Sequence, residues 1–309
     1  MSEQSGPTGS CQTGDCRDGG GALLNSPQDE IARYLRTGES DMLHLAWPGD
    51  SIMARVSNGS QAIRNALIAE VTRRTPRAHL PKQLVNLNVA EFAQEKIAPM
   101  VRGLFPADEQ GVLMEMFRRS VVFLTPANIA SVLMRTSFAS TAWDLANLYL
   151  LSCDAEPLSE DAPKLVGLSE ETTCYVSMAY FRSENRFDDF VVHEAAHVFH
   201  NCKREMIGLP TIRGREWLLE IDYQKRELFA YACEAYSCIV ALGSTKPSRQ
   251  DLIAEIEAGS MPPDDRVDVD DYLTTIREAV DARNGWKRIL ERCRPSPRRR
   301  ARRNDGAQV

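Results

Sequence analysis

Apolar residues recur at three- and four-residue spacing along most of the chain, a pattern that places them on one face of an α-helix. The first such segment begins at Ser26 and Pro27, which can cap a helix and fill its first turn, and it stops at Gly38. The same reasoning predicts helices over residues 60–75, 89–104, 108–118, 127–134, 141–151, 188–204, 222–242, 249–258 and 270–293, with a break or kink at Pro99.

Two segments have the composition of β-strands instead. Residues 121–124 form a short β-branched and aromatic run before Pro126, and residues 172–181 are rich in Thr, Tyr, Val and Cys with nearly alternating polarity. Together with the helices, these segments predict an α+β fold that is rich in helix and contains a small sheet.

The pattern divides the chain into four parts. Residues 1–25 consist mainly of small and polar residues and are predicted to be disordered, and residues 26–165 are predicted to form a helical region. Residues 166–293 are predicted to form a second region, and residues 294–309 an arginine-rich disordered tail. We expect this tail either to contact an acidic partner or nucleic acid, or to be solvated without a specific role.

Composition restricts the class of protein. The 309 residues are 43% hydrophobic and 26% charged, and the formal net charge is -6, which argues against a protein that coats nucleic acid. No apolar run reaches the roughly 18 residues that span a bilayer, and the N-terminus lacks the apolar core of a signal peptide. We therefore expect a cytoplasmic protein, with export by another route left open.

One motif carries recognisable chemistry. Residues 193–197 read H-E-A-A-H within the predicted helix 188–204. Because four residues turn a helix by about 400°, His193 and His197 share one face and can bind the same Zn²⁺. Glu194 points elsewhere, beside the metal, where it can act as a general base toward water. Zn²⁺ is therefore the predicted cofactor.

A catalytic zinc site needs a third protein ligand. Glycine at 200 and histidine at 203 would indicate a metzincin, but those positions hold His200 and Lys203. On the helix predicted for 222–242, Glu227 and Ala230 share a face, and the small alanine permits close approach to the motif helix. Glu227 is the first candidate, with Glu234, Glu216 and Glu220 left open.

These elements resemble a known family. The H-E-A-A-H helix followed by R-E-L-F-A-Y-A-C-E at 226–234 resembles the gluzincin branch of the zincin-like metallopeptidases, and residues 227–230 are similar to the E-x-F-A element of anthrax-lethal-factor-like peptidases. The resemblance implies a zincin-like fold and Glu227 as the third ligand. That group has a glutamate where this chain has Tyr231, so the carboxylate that orients a zinc histidine falls to Asp189 or Glu234.

The implied activity is hydrolysis of peptide bonds in an unidentified polypeptide, with Glu194 as the base toward a zinc-activated water. Tyr231 is the first candidate for stabilising the oxyanion, with Tyr223 and His200 as alternatives. An interior aromatic role for Tyr231 and a plain hydrogen-bonding role for His200 stay open. The resemblance also implies that substrate adds as a strand to a sheet edge. The segment 172–181 is the candidate edge, and a plain core strand is the alternative.

Three rival interpretations remain at this stage. The chain could be a zinc-binding regulator of the same fold without turnover. It could be an adaptor that binds a partner or nucleic acid through its basic tail. It could also be an exported effector that keeps the chemistry and acts on another substrate.

Overall fold

The computed structural model describes residues 26–41, 43–212, 215–259 and 261–295. The predictions for residues 1–25 and for the tail from 296 onward lie outside this part of the chain. The helices and strands of the described residues are α1 (Pro27–Thr37), α2 (Ile52–Arg74), α3 (Lys82–Val85), α4 (Val89–Leu104), α5 (Ala107–Ser120), β1 (Val121–Phe123), α6 (Ile129–Arg135), α7 (Ala139–Ser152), β2 (Gly167–Glu170), β3 (Thr173–Val176), α8 (Phe190–Asn201), α9 (Arg226–Leu242), α10 (Lys246–Gly259), α11 (Val269–Asp281) and α12 (Gly285–Cys293). The predicted helix-rich α+β class is confirmed.

Local signals set the start of the N-terminal helices. The Ser26 hydroxyl accepts a hydrogen bond from the Asp29 backbone N–H, and Gly38 ends α1 in the left-handed conformation, as predicted. Helix α2 begins at Ile52, not near residue 60, because Ser51 caps it by accepting from the Ala54 N–H at 3.1 Å. The first turns of α2 are largely exposed, so their sequence lacks the regular spacing of apolar residues that predicts a helix. Of the break or kink predicted at Pro99, the break is absent, because helix α4 is continuous through this residue.

The sheet has three strands in the order β1-β3-β2, with β1 parallel and β2 antiparallel to β3. The prediction of a strand at 121–124 is confirmed for β1. The strand predicted for 172–181 is confirmed only over Thr173–Val176, because Ser177 caps a 3₁₀ turn at Met178–Arg182. Of the two roles considered for this segment, the plain core strand is confirmed and the sheet edge is not, because β3 is central and the two edges are β1 and the unpredicted β2.

Two predicted C-terminal helices are subdivided. The segment 188–204 is helical only to Asn201, and a 3₁₀ turn follows at Arg204–Ile207. The single helix predicted for 270–293 is two helices. Asn284 separates them by capping α12 through the Lys287 N–H and by donating its amide to the Gly103 carbonyl at 3.0 Å.

Helix α8 lies in the centre of the molecule, packed against α4, α9, β2 and β3. The Phe199 ring meets Phe105 and Phe117 with centroids 5.0 and 5.5 Å apart. Just beyond the helix, the fully buried Arg204 donates to Glu109 of α5 at 2.6 Å. The helix is therefore fixed by the sheet and by helices from both sides of the predicted boundary at 165/166.

Candidate metal centre

The N-terminus of α8 is held by a chain of polar contacts. Asp189 caps the helix by accepting from the Val192 N–H, and its other oxygen accepts from Lys96 Nζ at 2.8 Å. The Asp189 backbone N–H donates to Glu234 Oε1 at 2.7 Å. Because a helix N-terminus attracts negative charge, Asp189 is stabilised here, and Lys96 of α4 balances its charge. These contacts fix the rotation of α8 relative to α9.

His193 and His197 lie one turn apart on α8, and Glu227 of the facing helix α9 lies beside both. Their Nε2 atoms are 3.1 Å apart, and Glu227 Oε2 is 3.4 Å from Nε2 of His197 and 4.0 Å from Nε2 of His193. Ligands at about 2.0–2.1 Å from a tetrahedral zinc lie roughly 3.3 Å from one another. The chemistry and the spacing of these donor atoms therefore fit Zn²⁺.

Hydrogen bonds set the tautomer of His193. Its Nδ1 lies 3.0 Å from Glu234 Oε2. Because an ionised carboxylate only accepts, Nδ1–H is the donor and Nε2 keeps its lone pair. Glu234 is thus on the far side of the ring from Glu227, and of the two candidates for an orienting carboxylate it is the one in contact with His193. Asp189 does not contact the ring; it caps α8, and its backbone N–H holds the Glu234 carboxylate.

His197 is oriented by another histidine. His197 Nδ1 is 3.0 Å from His200 Nε2, and His200 Nδ1 is 3.0 Å from Asn201 Oδ1. Because the amide oxygen accepts, the His200 Nδ1–H donates, and His200 Nε2 accepts from His197. Burial, helped by His197 and Arg226, lowers the pKa of His200 to about 3, so its ring is neutral at pH 7. His197 Nε2 then also presents a lone pair.

Glu194 lies beneath the edge strand β2. It is buried, and Gly167 of β2 approaches so closely that a Cβ there would be 2.5 Å from Glu194 Oε1. Burial raises the pKa of Glu194 to about 7; the carboxylates of Glu227 and Glu234 act in the same direction, and His197 opposes them. A carboxyl group with this pKa can exchange protons near neutral pH.

Tyr231 is the tyrosine at this site. Its ring packs edge-to-face against the His193 ring with centroids 4.4 Å apart, and the residue is half-buried. Tyr223 is 80% exposed, under the guanidinium of Arg226. His200 is engaged with His197 and Asn201. Of the three candidates for an oxyanion donor, Tyr231 is therefore the one whose ring packs against His193.

No protein-family model matches this chain, and neither the curated proteins nor the solved structures contain a match to it. In the part of the chain that the structure describes, no helix has the length and apolarity needed to cross a membrane.

The remaining candidates for the third ligand lie elsewhere. Glu216 is paired with Lys203 at 2.7 Å. Glu216 and Glu220 both line a separate cavity of about 540 Å³ beyond the C-terminal end of α8. The structure thus brings Glu227, but neither of these residues, to the two histidines.

Sequence reasoning missed four residues that contact this site or its supports. Lys96 holds Asp189, Gly167 admits Glu194, and Arg266 with its partner Asp264 contacts Glu227. They come from α4, β2 and the connection between α10 and α11, and none shows a spacing that relates it to the motif. Gly167 could have been recognised as a point of close backbone approach only if β2 had been predicted, and it was not.

Proposed function

We propose that this protein is a zinc-dependent metallopeptidase of zincin-like fold that hydrolyses peptide bonds with Glu194 as general base. One observation carries the proposal. Glu234 and His200 accept from the Nδ1–H groups of His193 and His197, so the Nε2 atom of each ring carries a lone pair. These two Nε2 atoms are 3.1 Å apart and lie next to the Glu227 carboxylate. These electron-rich atoms repel one another, and a cation bound between them would remove the repulsion.

When bound, Zn²⁺ would act as a Lewis acid toward a carbonyl oxygen and would lower the pKa of water. The protein's own residues do the rest. Glu194 takes the proton from the attacking water and passes it to the leaving amine, a transfer suited to its raised pKa. The Tyr231 hydroxyl donates a hydrogen bond to the oxyanion as negative charge develops there. Both residues lie next to His193, on different elements.

A polypeptide is the substrate class that best fits the surroundings. Strand β2 is the antiparallel edge of the sheet, and a Cβ at its residue Gly167 would collide with the Glu194 carboxylate. An extended peptide that pairs with an edge strand gains backbone hydrogen bonds in any sequence context. A substrate paired with β2 would bring its backbone close to Glu194, so we assign β2 as the binding edge.

The test is cleavage of a peptide library, with products identified by mass spectrometry. Zinc-loaded wild type should cleave peptides, and Glu194→Gln, which keeps the shape of the side chain, should be slower by about 10²- to 10⁴-fold. Chelation should abolish cleavage, and added zinc should restore it. Equal cleavage by wild type and Glu194→Gln would contradict the proposal. Zinc binding without cleavage in either protein would favour a non-catalytic zinc-binding regulator.

A further inference from the structure

The connection between α10 and α11 places an arginine on the Glu227 carboxylate. Arg266 Nη2 lies 3.2 Å from Glu227 Oε1. Asp264 holds the same guanidinium: its Oδ1 is 2.9 Å from Arg266 Nε and its Oδ2 is 2.5 Å from Nη2. The Arg266 backbone N–H also donates to Asp264 Oδ1 at 2.9 Å. The arginine is therefore oriented by one carboxylate toward another.

This contact divides the two oxygens of Glu227 between different partners. Oε2 lies near Nε2 of both histidines, whereas Oε1 faces the arginine. A carboxylate can bind a metal through one oxygen or through both, and an oxygen that accepts a charge-assisted hydrogen bond is the poorer second ligand. The guanidinium thus discriminates between the two binding modes of Glu227.

We propose that Arg266, oriented by Asp264, is a positioning residue that keeps Glu227 a one-oxygen metal ligand. The inference rests on the proposed zinc site. Two histidines and a single carboxylate oxygen leave one position of a tetrahedral ion open, as hydrolytic chemistry requires. A carboxylate bound through both oxygens would occupy that position or raise the coordination number.

A plain surface ion pair is the competing explanation for Arg266, whose side chain is 69% exposed. Exposed pairs contribute little and are common. Two features of this pair argue otherwise. The side chains of Asp264 and Glu227 are only 17% and 20% exposed, so both carboxylates are held by the surrounding protein. The second acceptor, moreover, is the carboxylate that faces His193 and His197.

The test uses Co²⁺ in place of Zn²⁺, because four-coordinate Co²⁺ absorbs visible light more strongly than five- or six-coordinate Co²⁺. Wild type should give the strong spectrum, and Arg266→Ala a weaker one. Because Glu227 loses the contact that fixes its side chain beside the histidines, the arginine variant should also bind zinc about 10- to 100-fold more weakly in competition with a chelator. Arg266→Lys, which keeps a charged donor, should recover part of the affinity. Asp264→Asn should resemble a mild form of Arg266→Ala.

The matched control is Arg277→Ala. It removes another exposed arginine, which lies on α11 and pairs with Glu257 of α10 at 2.7 Å. It should leave the cobalt spectrum and the zinc affinity unchanged. Thermal unfolding of each metal-free variant shows whether it folds. If wild type binds cobalt and Arg266→Ala gives the same spectrum and affinity, this inference is wrong and the zinc site stands. If wild type binds neither metal, the proposed function fails, and this inference fails with it.

Discussion

Helices α7 and α8 are both apolar and almost completely buried, yet they use their polar side chains differently. In α7, the buried Asn147 is satisfied by backbone: it donates to the Trp143 carbonyl at 2.9 Å and accepts from the Leu158 N–H at 2.7 Å. In α8, the Nδ1 atoms of His193 and His197 each have a partner on the protein side, whereas their Nε2 atoms converge on each other and on Glu227.

This difference separates a structural polar group from a site. A buried amide with its donors and acceptors paired stabilises the fold and has no capacity left for a ligand. Imidazoles whose Nδ1–H groups are fixed while their Nε2 lone pairs converge have their remaining capacity directed at one point. Burial of polar residues is common to both helices, so the direction of the unused lone pairs is the informative property.

The largest expected effect comes from zinc itself. At a free zinc concentration about 1000 times its dissociation constant, binding should raise the free energy of unfolding by about 4 kcal/mol. His197→Ala should lose this zinc-dependent increase, because it removes one of three ligands. Thermal unfolding with and without zinc measures both. A zinc-dependent increase that survives in His197→Ala would show that zinc binds elsewhere.

The α7 counterpart should behave in the opposite way. Asn147→Ala leaves the buried Leu158 N–H without its acceptor, so the free energy of unfolding should fall by about 1–3 kcal/mol. The increase produced by zinc should be the same as in wild type. Chemical denaturation at two zinc concentrations gives both quantities, and a smaller zinc effect in Asn147→Ala would remove the distinction between the helices.

Next in size is the loss of the carboxylate behind His193. Glu234→Ala removes the acceptor of the His193 Nδ1–H and should weaken zinc binding by about 10- to 100-fold. Glu234→Gln keeps an acceptor without the charge and should fall between that variant and wild type. Chelator competition measures the affinities. Wild-type affinity in Glu234→Ala would mean that this hydrogen bond does not orient the ligand.

A smaller effect is expected behind His197, because its partner is a neutral imidazole and not a carboxylate. His200→Ala should weaken zinc binding by about tenfold, at the low end for an outer-shell partner. Asn201→Ala acts one bond further away and should do less. The same chelator competition applies, and an effect larger than that of Glu234→Ala would reverse the order proposed for the two partners.

A separate contrast, in pH dependence, distinguishes two carboxylates in the metal-free protein. Hydrogen bonds from Arg73 and Arg74, opposed by burial, lower the pKa of Glu70 from 4.5 to about 2. Its contribution to stability is present above pH 4.5 and is lost as the pH falls toward 2. Burial raises the pKa of Glu194 to about 7, so its contribution is present below pH 4.5 and is lost as the pH rises through 7.

Relative to wild type, removing each charge should therefore change the unfolding midpoint in opposite directions as the pH rises. Glu70→Gln should destabilise more at pH 7 than at pH 3, whereas Glu194→Gln should be more favourable relative to wild type at pH 8 than at pH 5. Parallel trends in the two variants would contradict this contrast between a paired and a buried carboxylate.

The parts of this site that sequence alone predicted are local. His193 and His197 follow from a four-residue spacing on one helix, and Glu227 follows from the face it shares with Ala230 on another. Strand β2 escaped prediction because its residues, Gly-Leu-Ser-Glu, have no β-branched run, and it is a strand only through its pairing with β3. Lys96 and Arg266 reach the site through tertiary packing, which no spacing in the sequence encodes.

Zinc content by elemental analysis tests the central claim most directly, on wild type beside His193→Ala, Glu194→Gln and Glu227→Ala purified under metal-replete conditions. The account predicts stoichiometric zinc in wild type and in Glu194→Gln, and its loss in the other two, because the base is not a ligand whereas His193 and Glu227 are. Wild type without zinc, or a Glu227→Ala protein that retains it fully, would contradict the account.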